Sequence, residues 1–121
     1  AARRIGHGIA AARSGGVLGE LRRRRVHLEV CPTSNRRTGV VPRGHRHPLA
    51  ALWASGVPLS LSTDDPALFG STLCGELRWA SRAAGWGPHD MARSQLLAAE
   101  AAFLPRRGRE SLARRIEAGW L

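Results

Sequence analysis

An α/β fold built from parallel β/α units is what this sequence predicts, on three observations. Short apolar segments with period-two alternation (Val26, Leu28 and Val30; Val57, Leu59 and Leu61) are separated by longer stretches with helical spacing. Each segment runs into a polar, turn-prone motif, "EVCPTSN" after the first and "STDDP" after the second. A third such motif, "RIGHG" at residues 4–8, follows a brief apolar lead-in. In parallel α/β folds ligands gather at the carboxyl ends of strands, so the three motifs are expected to share one rim.

The elements follow in order. Residues 4–8 supply the first strand and its exit, and residues from about 13 to 25 read as a helix. Its last residues, Arg22 to Arg25, would lie at the negative end of the helix dipole, where cations are favoured. The strand over 26–31 ends at Pro32 in "PTSN", a turn composition. "HPLAALWASG" starts a second helix at Pro48, places Leu49, Leu52 and Trp53 on one face and stops at Gly56. The next strand, "VPLSLS", delivers "TDDP" and is closed by Pro66. Further helices are predicted from about 71 to 83, from Pro88 to about Phe103, and from about Pro105 to Ala118 with Gly119 as the stop.

Composition narrows the function classes. With 121 residues, 43% of them hydrophobic, the chain suits one core rather than disorder. Its net charge of +10 comes from 19 basic residues, all arginine, against nine acids. That balance suits polyanions, and a basic fragment that binds nucleic acid non-specifically and catalyses nothing is the reading from another class. The arginines are scattered, however, and lack the interleaved aromatics of a single-strand binder, so a compositional bias towards arginine accounts for them better. No specific nucleic-acid partner is expected. Cys31 and Cys74 form no CxxC motif, which argues against a disulfide framework or a cysteine zinc site and fits a reducing cytoplasm. No apolar run approaches the roughly 20 residues that cross a bilayer, so no membrane partner is expected. The opening stretch lacks the apolar core of a signal peptide, and without an initial methionine the chain reads as though it begins inside something longer. Nothing in the sequence sets an oligomeric state.

Three groups of residues carry potential chemistry. His7 lies between Gly6 and Gly8, which permit a sharp turn and close ligand approach; a structural hydrogen-bonding histidine is the plainer reading. Asp64 and Asp65, if they continue the strand, point to opposite faces and must do different jobs. One would bind a metal while its neighbour accepts a hydrogen bond from a ligand or turns back to cap the following loop, against the plainer reading of an Asx turn before Pro66. His45 and His47 have the spacing of a metal pair, but their polar loop before Pro48 favours a helix-start or solvated role.

Taken in order, "RIGHG", "LEVCPTSN", "TG" at 38–39, "HPL" at 47–49, "STDDPALF" at 62–69 and "AAFLP" at 101–105 resemble the C-terminal portion of the adenosine deaminase family of zinc-dependent purine deaminases. The resemblance covers nearly the whole chain. It implies that residues 1–121 are the C-terminal part, about three β/α units plus terminal helices, of a single TIM-type (β/α)8 barrel domain. It also implies a Zn2+ cofactor held partly by Asp64, with the family's other zinc ligands and its glutamate proton shuttle absent from this chain. Neither Glu29 nor Glu76 matches that glutamate, and His45 and His47 do not match the zinc histidines. By the same resemblance His7 orients and stabilises the attacking oxygen, and Asp65 contacts N7 of the purine. The implied substrate is a purine nucleoside, adenosine first, with adenine or aminofutalosine as alternatives. An opened barrel leaves unpaired strand edges, so the isolated chain is expected to aggregate or to be molten.

Overall fold

The computed structural model describes residues 2–120. Three strands, β1 (Arg4–Gly6), β2 (His27–Val30) and β3 (Leu59–Leu61), form one parallel sheet in the order β1-β2-β3. Parallel strands need a crossover, and each crossover here is helical. A 3-10 turn (Ile9–Arg13) and α1 (Gly15–Arg23) join β1 to β2; α2 (Pro32–Arg37) and α3 (Leu49–Ala54) join β2 to β3. After β3 come α4 (Pro66–Phe69), α5 (Leu73–Ala84), α6 (Pro88–Ala101) and α7 (Arg106–Trp120).

The predicted alternation gives the sheet two unlike faces. Ile5 pairs with Leu28, and Leu28 with Leu59, so an apolar row crosses all three strands. Leu28, Val30 and Leu59 are fully buried there with Leu49 and Leu52 of α3, and Leu77, Ala80 and Trp86 belong to the same cluster. The opposite face is polar and internally paired. Arg4 forms an ion pair with Glu29, and His27 Nε2 lies 2.8 Å from Ser60 Oγ. The Arg4 guanidinium also stacks 4.6 Å from the centre of the Phe103 ring. Trp53 leans on Trp86 and donates its indole N–H to Asp90 Oδ1 at 3.0 Å, tying α3 to the start of α6.

Several predicted boundaries move for local reasons. The helix expected over 13–25 is shorter, because Ser14 is extended and its hydroxyl accepts the Val17 N–H, so α1 starts at Gly15. It ends at Arg23, leaving Arg22 and Arg23 in its last turn as the dipole reading anticipates, while Arg25 turns into the left-handed region. "PTSN" is not a turn but the body of α2, with Pro32 at the first helical position. α4 is an additional short helix. α6 ends at Ala101 rather than near Phe103, and α7 continues through Gly119 to Trp120, so Gly119 is no stop. Among the described residues no helix is long and apolar enough to cross a membrane.

Among the described residues, the outer edges of β1 and β3 have no strand partner, and Leu68 and Phe103 are 70% and 72% exposed. Unpaired edges and bared apolar side chains promote association. Sedimentation velocity on the isolated chain is therefore expected to show concentration-dependent oligomers. A monodisperse monomer across the concentration range would contradict this.

Candidate active site

β1 ends in two consecutive left-handed residues. The His7 N–H donates to Glu29 O at 2.8 Å, extending the β1–β2 ladder by one bond, and the chain then turns at His7 (φ 58°) and Gly8 (φ 64°). Only Gly8 is required as glycine: a Cβ there would lie 2.6 Å from Leu28 Cδ2, whereas one at Gly6 would meet nothing within 4 Å. The expectation that both glycines serve the turn is thus narrowed to one. Histidine in the left-handed region costs on the order of 1 kcal/mol, which the docked Gly8 and the buried Ile9 offset.

β3 ends similarly. The Ser62 N–H donates to Val30 O at 2.8 Å, and the Ser71 hydroxyl closes the loop on Thr63 O at 2.8 Å. Asp64 is left-handed (φ 57°) and Asp65 extended, as a residue before proline must be. β3 stops at Leu61, so strand alternation does not separate the two carboxylates; the change of backbone region between them does. Asp64 turns back over the sheet, where its Oδ2 accepts the Ser34 hydroxyl at 2.7 Å and lies 3.7 Å from His7 Nε2. Asp65 turns forward, and its Oδ1 accepts the Leu68 N–H at 2.9 Å as the cap of α4. The plainer capping role is therefore realised at Asp65, in its first oxygen.

α2 connects these two ends. Ser34 and Asn35 are each 2% exposed. Ser34 reaches Asp64, and the Asn35 amide nitrogen lies 3.0 Å from His7 Nδ1. Asn35 Oδ1 in turn faces His47 Nε2 at 3.1 Å, and the Leu49 N–H donates to His47 Nδ1 at 3.1 Å. His47 thus holds the start of α3, as its position before Pro48 suggests, while His45 is exposed and takes no part. Glu76 is buried and accepts the Thr33 N–H at 3.2 Å, so it caps α2, and Glu29 is committed to Arg4. Ser34 and Asn35 lie inside the quoted "EVCPTSN" motif, yet composition gave no reason to single them out, because their partners are 28 and 30 residues away.

The electrostatics separate an open centre from a closed surround. His7 and Asp64 side chains are 42% and 39% exposed. Burial, and then the charge of Arg36, pulls His47 down to about 4; burial, and then Arg4, does the same to His27. Both rings are neutral at pH 7. Burial raises the Cys31 thiol, which donates to Glu29 O at 3.3 Å, and Cys74 is free and exposed. Among the described residues no three His, Cys, Asp or Glu side chains are grouped to hold a metal. A zinc site takes three or four protein ligands. The half-exposed carboxylate of Asp64, bonded to Ser34 through Oδ2, fits one corner of such a site.

Comparison with known proteins follows the same outline. The adenosine deaminase family profile matches residues 1–119. The aminodeoxyfutalosine deaminase of Streptomyces coelicolor is 38% identical over 123 residues, covering 99% of this chain and 32% of the relative. The adenosine deaminase of Yersinia pseudotuberculosis is 35% identical over 111 residues, covering 92% and 33%. The crystal structure of the adenine deaminase from Arthrobacter aurescens superposes with a TM-score of 0.89 at 26% identity, over 97% of this chain and 36% of that one. The chain spans about a third of the length of the curated relatives it matches.

Two outcomes are expected. Gly8→Ala should cost about 1–3 kcal/mol in urea unfolding, through strain and the clash with Leu28, whereas Gly6→Ala should stay within about 0.5 kcal/mol. For His27 and His47 the folded pKa of about 4 lies below the unfolded value. Between pH ~6.5 and ~4 the unfolded chain binds more protons, so stability falls as pH falls through that window, by on the order of a few kcal/mol. Urea midpoints at pH 7 and pH 4.5 check the sign; equal midpoints would contradict it.

Proposed function

The chain belongs to the adenosine deaminase family, and from that membership we propose that it supplies part of the catalytic site of a hydrolytic purine deaminase. The reaction is adenosine plus water to inosine plus ammonia. One observation carries this reading: two residues on the loops that leave β1 and β3, on either side of β2, His7 and Asp64, are each bent into the left-handed region and converge to 3.7 Å over the carboxyl ends of the strands. Strained backbone at a strand exit is where function is expected to sit.

In this reading Asp64 donates a carboxylate oxygen to Zn2+, the other ligands coming from residues outside this chain. Zinc in such a site brings the pKa of water to about 7 and so supplies a nucleophile at neutral pH. Ser34, donating to Asp64 Oδ2, holds the carboxylate by one oxygen and leaves the other for the metal. His7 Nε2 directs the attacking oxygen towards the purine carbon that bears the amino group. Asp65 contacts purine N7 with the oxygen that does not cap α4. Neither N7 nor a carboxylate carries a proton of its own, so that contact requires one proton shared between them. The glutamate that protonates the ring is not among these residues. Adenosine is the first substrate; the 38% identity to an aminodeoxyfutalosine deaminase makes that nucleoside the second reading.

A chimera tests this. Residues 1–119 replace the matching third of the Yersinia pseudotuberculosis adenosine deaminase and, separately, of the Streptomyces coelicolor enzyme. Both chimeras are expected to release ammonia from the host's nucleoside, and Asp64→Ala to abolish it, with a loss of at least ~10³-fold. Soluble chimeras without activity, or an active Asp64→Ala variant, would contradict the proposal.

A further inference from the structure

A peptide N–H can only donate, so a hydrogen-bond chain that begins at one has a fixed direction. The Leu49 N–H donates to His47 Nδ1, and the neutral His47 ring must then carry its proton on Nε2. That proton faces Asn35 Oδ1 at 3.1 Å, which leaves the amide NH2 of Asn35 facing His7 Nδ1 at 3.0 Å. An amide nitrogen has no lone pair to offer, so His7 Nδ1 accepts. The proton of the neutral His7 ring is thereby placed on Nε2, the atom 3.7 Å from Asp64 Oδ2.

We propose that Asn35 and His47 are positioning residues that lock His7 in its Nε2–H tautomer, so that His7 presents a hydrogen-bond donor to the reaction centre. Two features hold the lock. Asn35 is 2% exposed, so its amide has no water with which to exchange partners. Turning the amide over would set NH2 against the Nε2–H of His47, and reversing that ring would set its Nδ1–H against the Leu49 N–H. Burial and Arg36 keep the His47 ring neutral at pH 7, which the direction of the chain needs. The kinetic consequence rests on the deaminase reading; the tautomer does not. As a donor, Nε2–H binds a lone pair of the attacking oxygen and cannot remove its proton, so that proton leaves by another group.

The test is the long-range 1H–15N spectrum of the chain labelled with [15N]histidine, at about pH 8.5 where imidazole is neutral. His7 is expected to show a protonated Nε2 and a bare Nδ1. In Asn35→Asp the carboxylate oxygen facing Nδ1 can only accept, so the tautomer should invert; in Asn35→Ala it should become mixed. Should the chain alone give no dispersed spectrum, the same spectra are recorded in the chimeras, where Asn35→Asp is expected to lower kcat at least ~10-fold with KM within about twofold. A proton on Nδ1 in the unmodified protein, or an unchanged tautomer in Asn35→Asp, overturns the proposal. Inactive chimeras whose His7 tautomer still inverts would sink the deaminase reading and leave the lock standing.

Discussion

β2 is the anchor on which the site depends. Its Glu29 carbonyl accepts the His7 N–H and its Val30 carbonyl accepts the Ser62 N–H, both at 2.8 Å. These bonds lie one step past the ends of β1 and β3, so the exits of both neighbours are pinned to successive residues of one strand. The left-handed turns at His7 and Asp64 then swing two side chains together from loops that are 57 residues apart in the chain. The sheet is short, but β2 is buried on its apolar face by Leu28 and Val30, neither of which is exposed at all. A shift in its register would move the rim as a whole.

The second constraint is polar satisfaction. α2 packs two small polar side chains, Ser34 and Asn35, into the space between the two exits, and each is committed to one of them. A buried polar group left without its partner costs about 1–3 kcal/mol, so the arrangement is stable as a set and intolerant of single losses. The helix itself is short and lacks a side-chain cap at Cys31. Glu76, from α5, supplies the acceptor for the Thr33 N–H instead, which ties the position of Ser34 and Asn35 to a helix beyond β3. Positioning is thereby distributed over β2, α2, α3 and α5, while the edge formed by His7 and Asp64 stays open.

How much of this was legible depended on the range of the interaction. Period-two alternation located β2 and β3, and the rim motifs fell at the strand exits as parallel topology requires. Trp53, Leu49 and Leu52 marked α3 correctly. "PTSN" misled, because its residues favour turns in isolation and the acceptor that caps its first turn, Glu76, comes from elsewhere in the fold. That Asp64 and Asp65 diverge was legible, though for the wrong reason: Pro66 forces Asp65 extended, and Asp64 alone turns left-handed. The link from Leu49 through His47 and Asn35 to His7 was invisible, since every step joins residues whose spacing carries no periodic signal.

The proposed function turns on Asp64 as one ligand of a metal centre of which this chain supplies one side. Anomalous diffraction at the zinc edge from a crystalline chimera tests it most directly. One zinc ion is expected, with an Asp64 carboxylate oxygen at about 2.0–2.2 Å and Ser34 still hydrogen-bonded to the same carboxylate. Zinc bound without Asp64, or held by His45 and His47, would contradict it.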